Sequence, residues 1–187
     1  MNLTISLILL MTLIFLLQYP LNLLEYFSFI PEYAFSQPWR FITSIFLHAN
    51  FFHLFYNMLA LFFFGLYLEG LVGWKKHLMI FLVSGIFGNL LFLLTTFDPS
   101  IPAVGASGAI YGLIGALTAL KPFAIVYVYF APMPLIVMAL LWALISFIGI
   151  FLPSNIAHAA HLSGMISGYV IGRMLKKRKG RKYLAYY

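Results

Sequence analysis

Long apolar runs are the feature of this chain that most limits its fold. A helix needs roughly 20 apolar residues to cross a hydrocarbon core about 30 Å thick. Runs of this kind lie at about 3–20, 51–71, 78–96, 107–120, 133–152 and 156–175. The chain has 187 residues, of which 64% are hydrophobic and 8% charged, and its mean hydropathy is +1.01. A soluble domain of this length has too little interior to hide so much apolar surface. The expected fold is therefore all-α: a polytopic membrane protein with six transmembrane helices in a single domain over residues 1–187.

Two segments do not read as spans. Residues 21–50 hold Pro31, Pro38, several aromatics and charges of both signs, directly after Pro20. They are too polar to cross and too apolar to be free loop, so short amphipathic pieces lying at the interface are expected there. Residues 121–132 extend one neighbouring helix or the other. The first run, Leu3 to Tyr19, has no lysine or arginine before it and no small-residue cleavage site after it. It reads as a retained helix rather than a signal peptide.

The net charge of +7 raises the question of nucleic acid, and its distribution argues against it. Arg173, Lys176, Lys177, Arg178, Lys179, Arg181 and Lys182 crowd one end of the last run. They form a basic tail from about residue 173, the flank of a membrane helix facing anionic lipid. With six spans, Lys75, Lys76, Lys121 and this tail share one side, while Arg40, Glu25, Glu32 and Asp98 fall on the other. The lysine side is then cytoplasmic, and both termini are inside. Cysteine is absent, which excludes disulfides and thiolate metal sites.

Against this background two polar residues stand out, because polar groups inside a span are costly and mark function. Ser107 lies in Gly105-Ala106-Ser107-Gly108, where a glycine-rich turn opens the fourth run, and His161 lies in the last. The fourteen residues from Ser107 to Lys121 rise roughly 21 Å as helix. That places Ser107 about 10 Å below the outer surface of a core about 30 Å thick. From His161 to Arg173 the rise is roughly 18 Å, a similar depth. Gly108, Gly112 and Gly115 line one face of the fourth helix, and Gly164, Gly168 and Gly172 share a stripe with His161 on the sixth. Small residues at these spacings let helices approach closely, so the packing stripe carries the histidine towards the serine. A serine beside a histidine is the arrangement of a nucleophile and its base. His53 and Asn57, at i and i+4, share a face of the second helix; they can form an interhelical hydrogen bond or donate to a developing oxyanion.

Taken together, these residues resemble the rhomboid family of intramembrane serine proteases, in its compact six-helix prokaryotic form. The resemblance is carried by Trp39-Arg40 in the first loop and by His53-x-x-x-Asn57 on the second helix, with Glu69 near that helix's inner end. Gly105-x-Ser107-Gly108 follows, with Tyr111 four residues after the serine. Ala157-His158-x-x-His161-x-x-Gly164, continued by Gly168, completes the set. The resemblance implies a rhomboid-like bundle with a long interfacial first loop. It implies an intramembrane serine endopeptidase with a Ser107–His161 dyad and no cofactor or metal. The oxyanion would be held by the Ser107 N–H, His53 and Asn57, helped by the positive end of the helix that Ser107 opens. Gly105, Gly108, Tyr111 and His158 would support the site, Tyr111 by packing on the imidazole and His158 by hydrogen bonding or orienting the loop. Neither Glu69 nor Asp98 is placed to orient the histidine. Substrates would be single-span or polytopic membrane proteins, reached in the bilayer of the cell membrane, and the short fourth helix would leave the cavity open to the outside.

Other readings have less behind them. A catalytically silent, client-binding scaffold of the same fold has no need of an intact Ser107 and His161. A metal transporter using His48, His53, His158 and His161 lacks thiolates, nearby embedded acids and repeat symmetry. Trp39 and Arg40 are expected to be structural, as an interfacial anchor and a donor to loop carbonyls.

Overall fold

The computed structural model describes residues 2–128, 131–152 and 156–184, with side chains described as far as Lys177. Arg178, Lys179, Arg181 and Lys182 of the expected basic tail therefore lie outside the described side chains. The first helix, α1, runs Leu3–Gln18. The interfacial segment holds two short helices, α2 (Leu23–Phe27) and α3 (Arg40–Thr43), with 3-10 turns at Pro31–Tyr33 and Ser44–Phe46. The second run is one helical path, α4 (Phe51–Ala60) continuing through a π turn at Leu61–Gly65 into α5 (Leu66–Val72). It is followed by α6 (Trp74–Thr95), α7 (Ser107–Leu120), α8 (Leu135–Gly149) and α9 (His158–Leu184). The helical paths 51–72 and 74–95 are each 22 residues long and apolar enough to cross a membrane, and α1, α7 and α8 are shorter apolar helices.

The molecule is mostly helical, as an all-α reading expects, but between α7 and α8 the described residues of 121–132 do not extend either neighbouring helix. There β1 (Ile125–Val128) pairs antiparallel with β2 (Ala131–Pro134), Val128 opposite Ala131. Pro122, Pro132 and Pro134 would each break a helix interior, and the run Ile125-Val126-Tyr127-Val128 favours extended backbone. Val126 and Val128 pack on the core, while Ile125 and Tyr127 face outward.

Arg40 organises the interfacial segment. Its buried guanidinium donates to the carbonyls of Ser28 (2.7 Å) and Glu25 (2.8 Å), and its Nε donates to Gln37 Oε1 (2.6 Å). The Trp39 indole donates to the Tyr26 carbonyl at 3.3 Å. Both residues are structural, as expected. Phe29 and Ala103 exchange backbone bonds of 3.0 and 2.8 Å, which stitches this segment to the loop before α7. Glu69, at the opposite end of the molecule, receives the Leu3 and Thr4 N–H groups (2.8 Å each) and the Thr4 hydroxyl (2.7 Å). A carboxylate there satisfies free donors at the α1 N-terminus and meets the positive end of its dipole.

The buried Gln18 amide clamps both backbone groups of His48, donating to its carbonyl at 2.6 Å and accepting from its N–H at 3.2 Å. The His48 ring is fully buried, and that burial, with His53 close by, pushes its pKa from 6.5 down to about 3. An unfolded chain protonates this group near its ordinary value and the folded one does not. Its contribution is thus present above pH 6.5 and is lost as the pH falls towards about 3. Thermal unfolding in detergent should show stability falling over that window by up to about 1.4 kcal/mol per pH unit for this group. A His48→Gln variant should have a shallower slope, and an unchanged slope would remove His48 as the cause.

The centre of the molecule is α7. Nearly all of it from Gly108 onward is buried, Tyr111 and Leu120 being half-buried, so it is apolar on every face as an enclosed helix must be. The outer helices differ. Leu9, Leu13 and Leu16 of α1 and Leu140, Leu144 and Ile145 of α8 point away from the protein, where a lipid-facing surface would lie. α6 and α9 flank α7, and the α7–α9 crossing is backbone on backbone. A Cβ on Gly164 would run into the Gly108 carbonyl, one on Gly168 into that of Gly112, and one on Gly172 would lie 2.8 Å from that of Ala116. The glycine stripe expected on the sixth span packs on the fourth in this register.

Candidate active site

The turn into α7 accepts only glycine at position 105. Gly105 has φ +124°, where side chains are strained. A Cβ there would also stand 2.6 Å from His53 Cε1 and 2.8 Å from its Nε2. The Gly105 N–H donates to the Ser44 carbonyl at 2.9 Å, anchoring the turn to the interfacial segment. Ser107 is then the first residue of α7. The first N–H groups of a helix have no partner within it and lie at the positive end of its dipole.

The α7–α9 register brings His161 to Ser107, with Nε2 2.8 Å from Oγ. This is hydrogen-bonding reach for a nucleophile and its base. Tyr111 stacks on the imidazole with ring centroids 4.3 Å apart and planes 13° from parallel. Trp142 of α8 packs on Tyr111 at 5.7 Å, and Phe64 packs on Trp142 at 6.4 Å. An aromatic row from the second, fifth and fourth runs thus fixes the histidine ring from one side. His158 lies edge-on to His161 at 6.1 Å and packs against Gly149, where a Cβ would be 2.5 Å from its ring.

His53 reaches the same turn from α4. Its Nδ1 accepts the Ala49 N–H at 3.3 Å, which leaves the ring proton on Nε2, the nitrogen beside Gly105. The Asn50 side chain caps α4 by accepting the His53 N–H at 2.9 Å. Asn57 is buried and donates one amide hydrogen to the His53 carbonyl at 2.8 Å, leaving the second for another acceptor. A cavity of about 20 Å³ lies beside Ser107, walled by Asn89, Gly105, Gly108, Ala157 and Ala160. One water needs about 10–15 Å³ of such space.

The structure brings Ser107, His161, Tyr111 and His158 together, and sets His53 and Gly105 against each other. Gly108 lies below them at the crossing, next to the Ala160 carbonyl. Asn57 is one turn from His53, with its bond directed within its own helix. Of the histidines weighed as metal ligands, His48 and His53 have ring centroids 5.3 Å apart, and His161 is directed at Ser107. Among the described residues, no three His, Asp or Glu side chains form a group able to hold a metal ion. Sequence reasoning missed Ser44, Asn89 and Trp142. Trp142 carries no local signal in an apolar run, and Ser44 and Asn89 matter only through contacts distant in the chain.

The family model described as Rhomboid domain matches residues 36–178. The rhomboid YdcA of Bacillus subtilis (strain 168) is 37% identical over 147 residues, covering 78% of this chain and 71% of that protein. Rhomboid protease GluP of the same organism is 35% identical over 136 residues, 70% of this chain and 25% of that protein. Inactive RHOMBOID-like protein 8 of Arabidopsis thaliana is 42% identical over 79 residues, 42% of this chain and 22% of that protein. The chain spans 33% and 48% of the length of two further plant relatives. A family match over residues 36–178, most of the chain, makes the protein a membrane-embedded member of the rhomboid family.

Proposed function

We propose that this chain is an intramembrane serine endopeptidase that cleaves transmembrane segments with a Ser107–His161 dyad. The observation that carries the reading is the 2.8 Å approach of His161 Nε2 to Ser107 Oγ. His161 takes the Ser107 proton as Oγ attacks the scissile carbonyl, then returns it to the leaving amine. Water then attacks the acyl-enzyme carbonyl while His161 takes its proton, and His161 passes that proton to Ser107 Oγ as the C–Oγ bond breaks, releasing the acid product and the free serine. The Ser107 N–H and the Nε2–H of His53 hold the oxyanion, joined by the free amide hydrogen of Asn57. Tyr111 holds the imidazole plane, and His158 steadies the start of α9.

The site belongs to a single domain of six spans over residues 1–187, with both termini cytoplasmic, a basic tail from about 173, and the Ser107 cavity open outward. Substrates are single-span or polytopic membrane proteins that reach Ser107 from the bilayer. The orientation is tested with Asp98→Cys and Gly180→Cys variants in the cysteine-free chain. In intact cells an impermeant thiol reagent should label position 98 and spare position 180, and the reverse pattern would invert the topology. A silent scaffold is favoured only by the similarity to a relative named inactive. That reading leaves the Ser107–His161 contact without a purpose.

Asn57 tests the oxyanion assignment. Its spare hydrogen should bond the oxyanion only as charge develops, so Asn57→Ala should lower kcat and leave KM nearly unchanged. A single isolated donor is worth about 10²–10³ in rate, and two others share the load here, so the expected loss is about tenfold. A change confined to KM, or to stability, would make Asn57 a packing residue.

A further inference from the structure

We infer that Asn89 is a positioning residue for the nucleophile, acting through Ser44 on the Gly105 turn; the inference rests on the proposed Ser107 chemistry. Asn89 lies on α6, on the buried face that also carries Phe81, Ser84, Gly85 and Gly88. That face meets the elements around Ser107. A Cβ on Gly88 would stand 3.2 Å from the Ala160 carbonyl, and Gly85 packs against Ile45 and Ala109.

Asn89 Nδ2 donates to two acceptors, the Phe41 carbonyl and Ser44 Oγ, both at 2.9 Å. A carbonyl only accepts, so the Phe41 bond fixes which end of the amide is nitrogen, and both amide hydrogens are engaged. Ser44 is 1% exposed and Asn89 9% exposed, so these bonds do not compete with bulk water. The same Ser44 presents its carbonyl to the Gly105 N–H at 2.9 Å. The path therefore runs from Asn89 to the Ser44 hydroxyl, through one residue to its carbonyl, then to Gly105 and on to Ser107 two residues later.

The turn needs this support. Gly105 sits at φ +124°, in a region where glycine has no side chain to hold it. Its N–H bond to Ser44 ties the turn to the interfacial segment, beside the packing of Gly105 on His53. If Ser44 turns, the carbonyl that anchors Gly105 turns with it, and Ser107 moves relative to His161. Misplacement by about 1 Å is enough to cost about 10²-fold in rate. Asn89 also walls the small cavity beside Ser107, so losing its side chain loosens the site on that side too.

The test uses the full chain in detergent and reads the rate at which a fluorophosphonate probe labels Ser107, alongside kcat and KM for a single-span reporter and thermal unfolding. The variants are Asn89→Ala, Ser44→Ala, Ser44→Thr and the double alanine variant. Asn89→Ala and Ser44→Ala should each slow labelling and lower kcat by about tenfold with KM held, and Ser44→Thr, which keeps the acceptor oxygen, should recover most of the rate. The double variant should be no slower than the slower single one, because both break the same path. Labelling at the wild-type rate in either single alanine variant would overturn the inference. So would losses that multiply in the double variant, or rates that fall only as far as the folded fraction falls. If Asn89→Ala does not fold, Ser44→Ala against Ser44→Thr decides alone. Absence of labelling in the wild type itself would instead remove the Ser107 nucleophile, a distinct outcome.

Discussion

Ser107→Ala and His161→Ala are each expected to abolish cleavage of a single-span reporter, with rates reduced by about 10⁴–10⁶-fold. Losses of that size follow when either partner of a nucleophile–base pair is removed, because each works only through the other. The two variants should be nearly equal in rate, and the double variant no slower than either. Their stabilities should differ. Ser107 offers one hydroxyl, whereas His161 fills the space against Tyr111 at 4.3 Å, so His161→Ala leaves a void and should unfold at the lower temperature. Cleavage near the wild-type rate by either folded variant would sink the dyad, and with it the proposed activity.

The other large effect is on the fold. Gly168→Ala is expected to destabilise the protein by about 1–3 kcal/mol or more, because the added methyl meets the Gly112 carbonyl. A side chain in that position would rotate away, but backbone does not. α7 and α9 must separate, at the crossing that sets the Ser107–His161 distance, so activity should fall together with stability. Gly70 on α5 is the control. A Cβ there meets nothing within 4 Å, so Gly70→Ala should be neutral or stabilise by about 0.5–1 kcal/mol through helix propensity. Thermal unfolding of the two variants side by side decides the matter. Equal midpoints would mean that the α7–α9 crossing is softer than its geometry.

How much of this was readable in the residues depends on the range of the interaction. The helices on either side of the Ser107 site were legible because apolar runs and glycine spacing are local, periodic signals. The fourteen residues of α7 appear where their apolar run begins and ends. The pairing of Ser107 with His161 was legible because a helix rise converts spacing into depth. The strand pair Ile125–Val128 and Ala131–Pro134 was open to reading from Pro132 and Pro134, yet the surrounding hydropathy hides it inside what reads as a continuation of a span. The π turn at 61–65 has no sequence signature, since its residues are as apolar as those on either side. The Asn89–Ser44 bond joins positions 45 residues apart on elements whose meeting only the folded bundle defines. Asn89 in isolation reads as one polar residue in an apolar helix.

The enclosure of α7 sets the nucleophile apart from the mechanics of the membrane. A bilayer whose thickness differs from a protein's apolar height acts on it by tilting or kinking the helices that touch lipid. Here those forces fall on the helices with outward-facing apolar side chains, α1 and α8 as well as α6 and α9, and reach Ser107 on the enclosed α7 only through that layer of protein. The nucleophile is suspended inside the frame, whereas its partner His161 rides on α9, whose Ile166, Val170 and Met174 face outward, so mismatch has its most direct path to the pair through the histidine's helix.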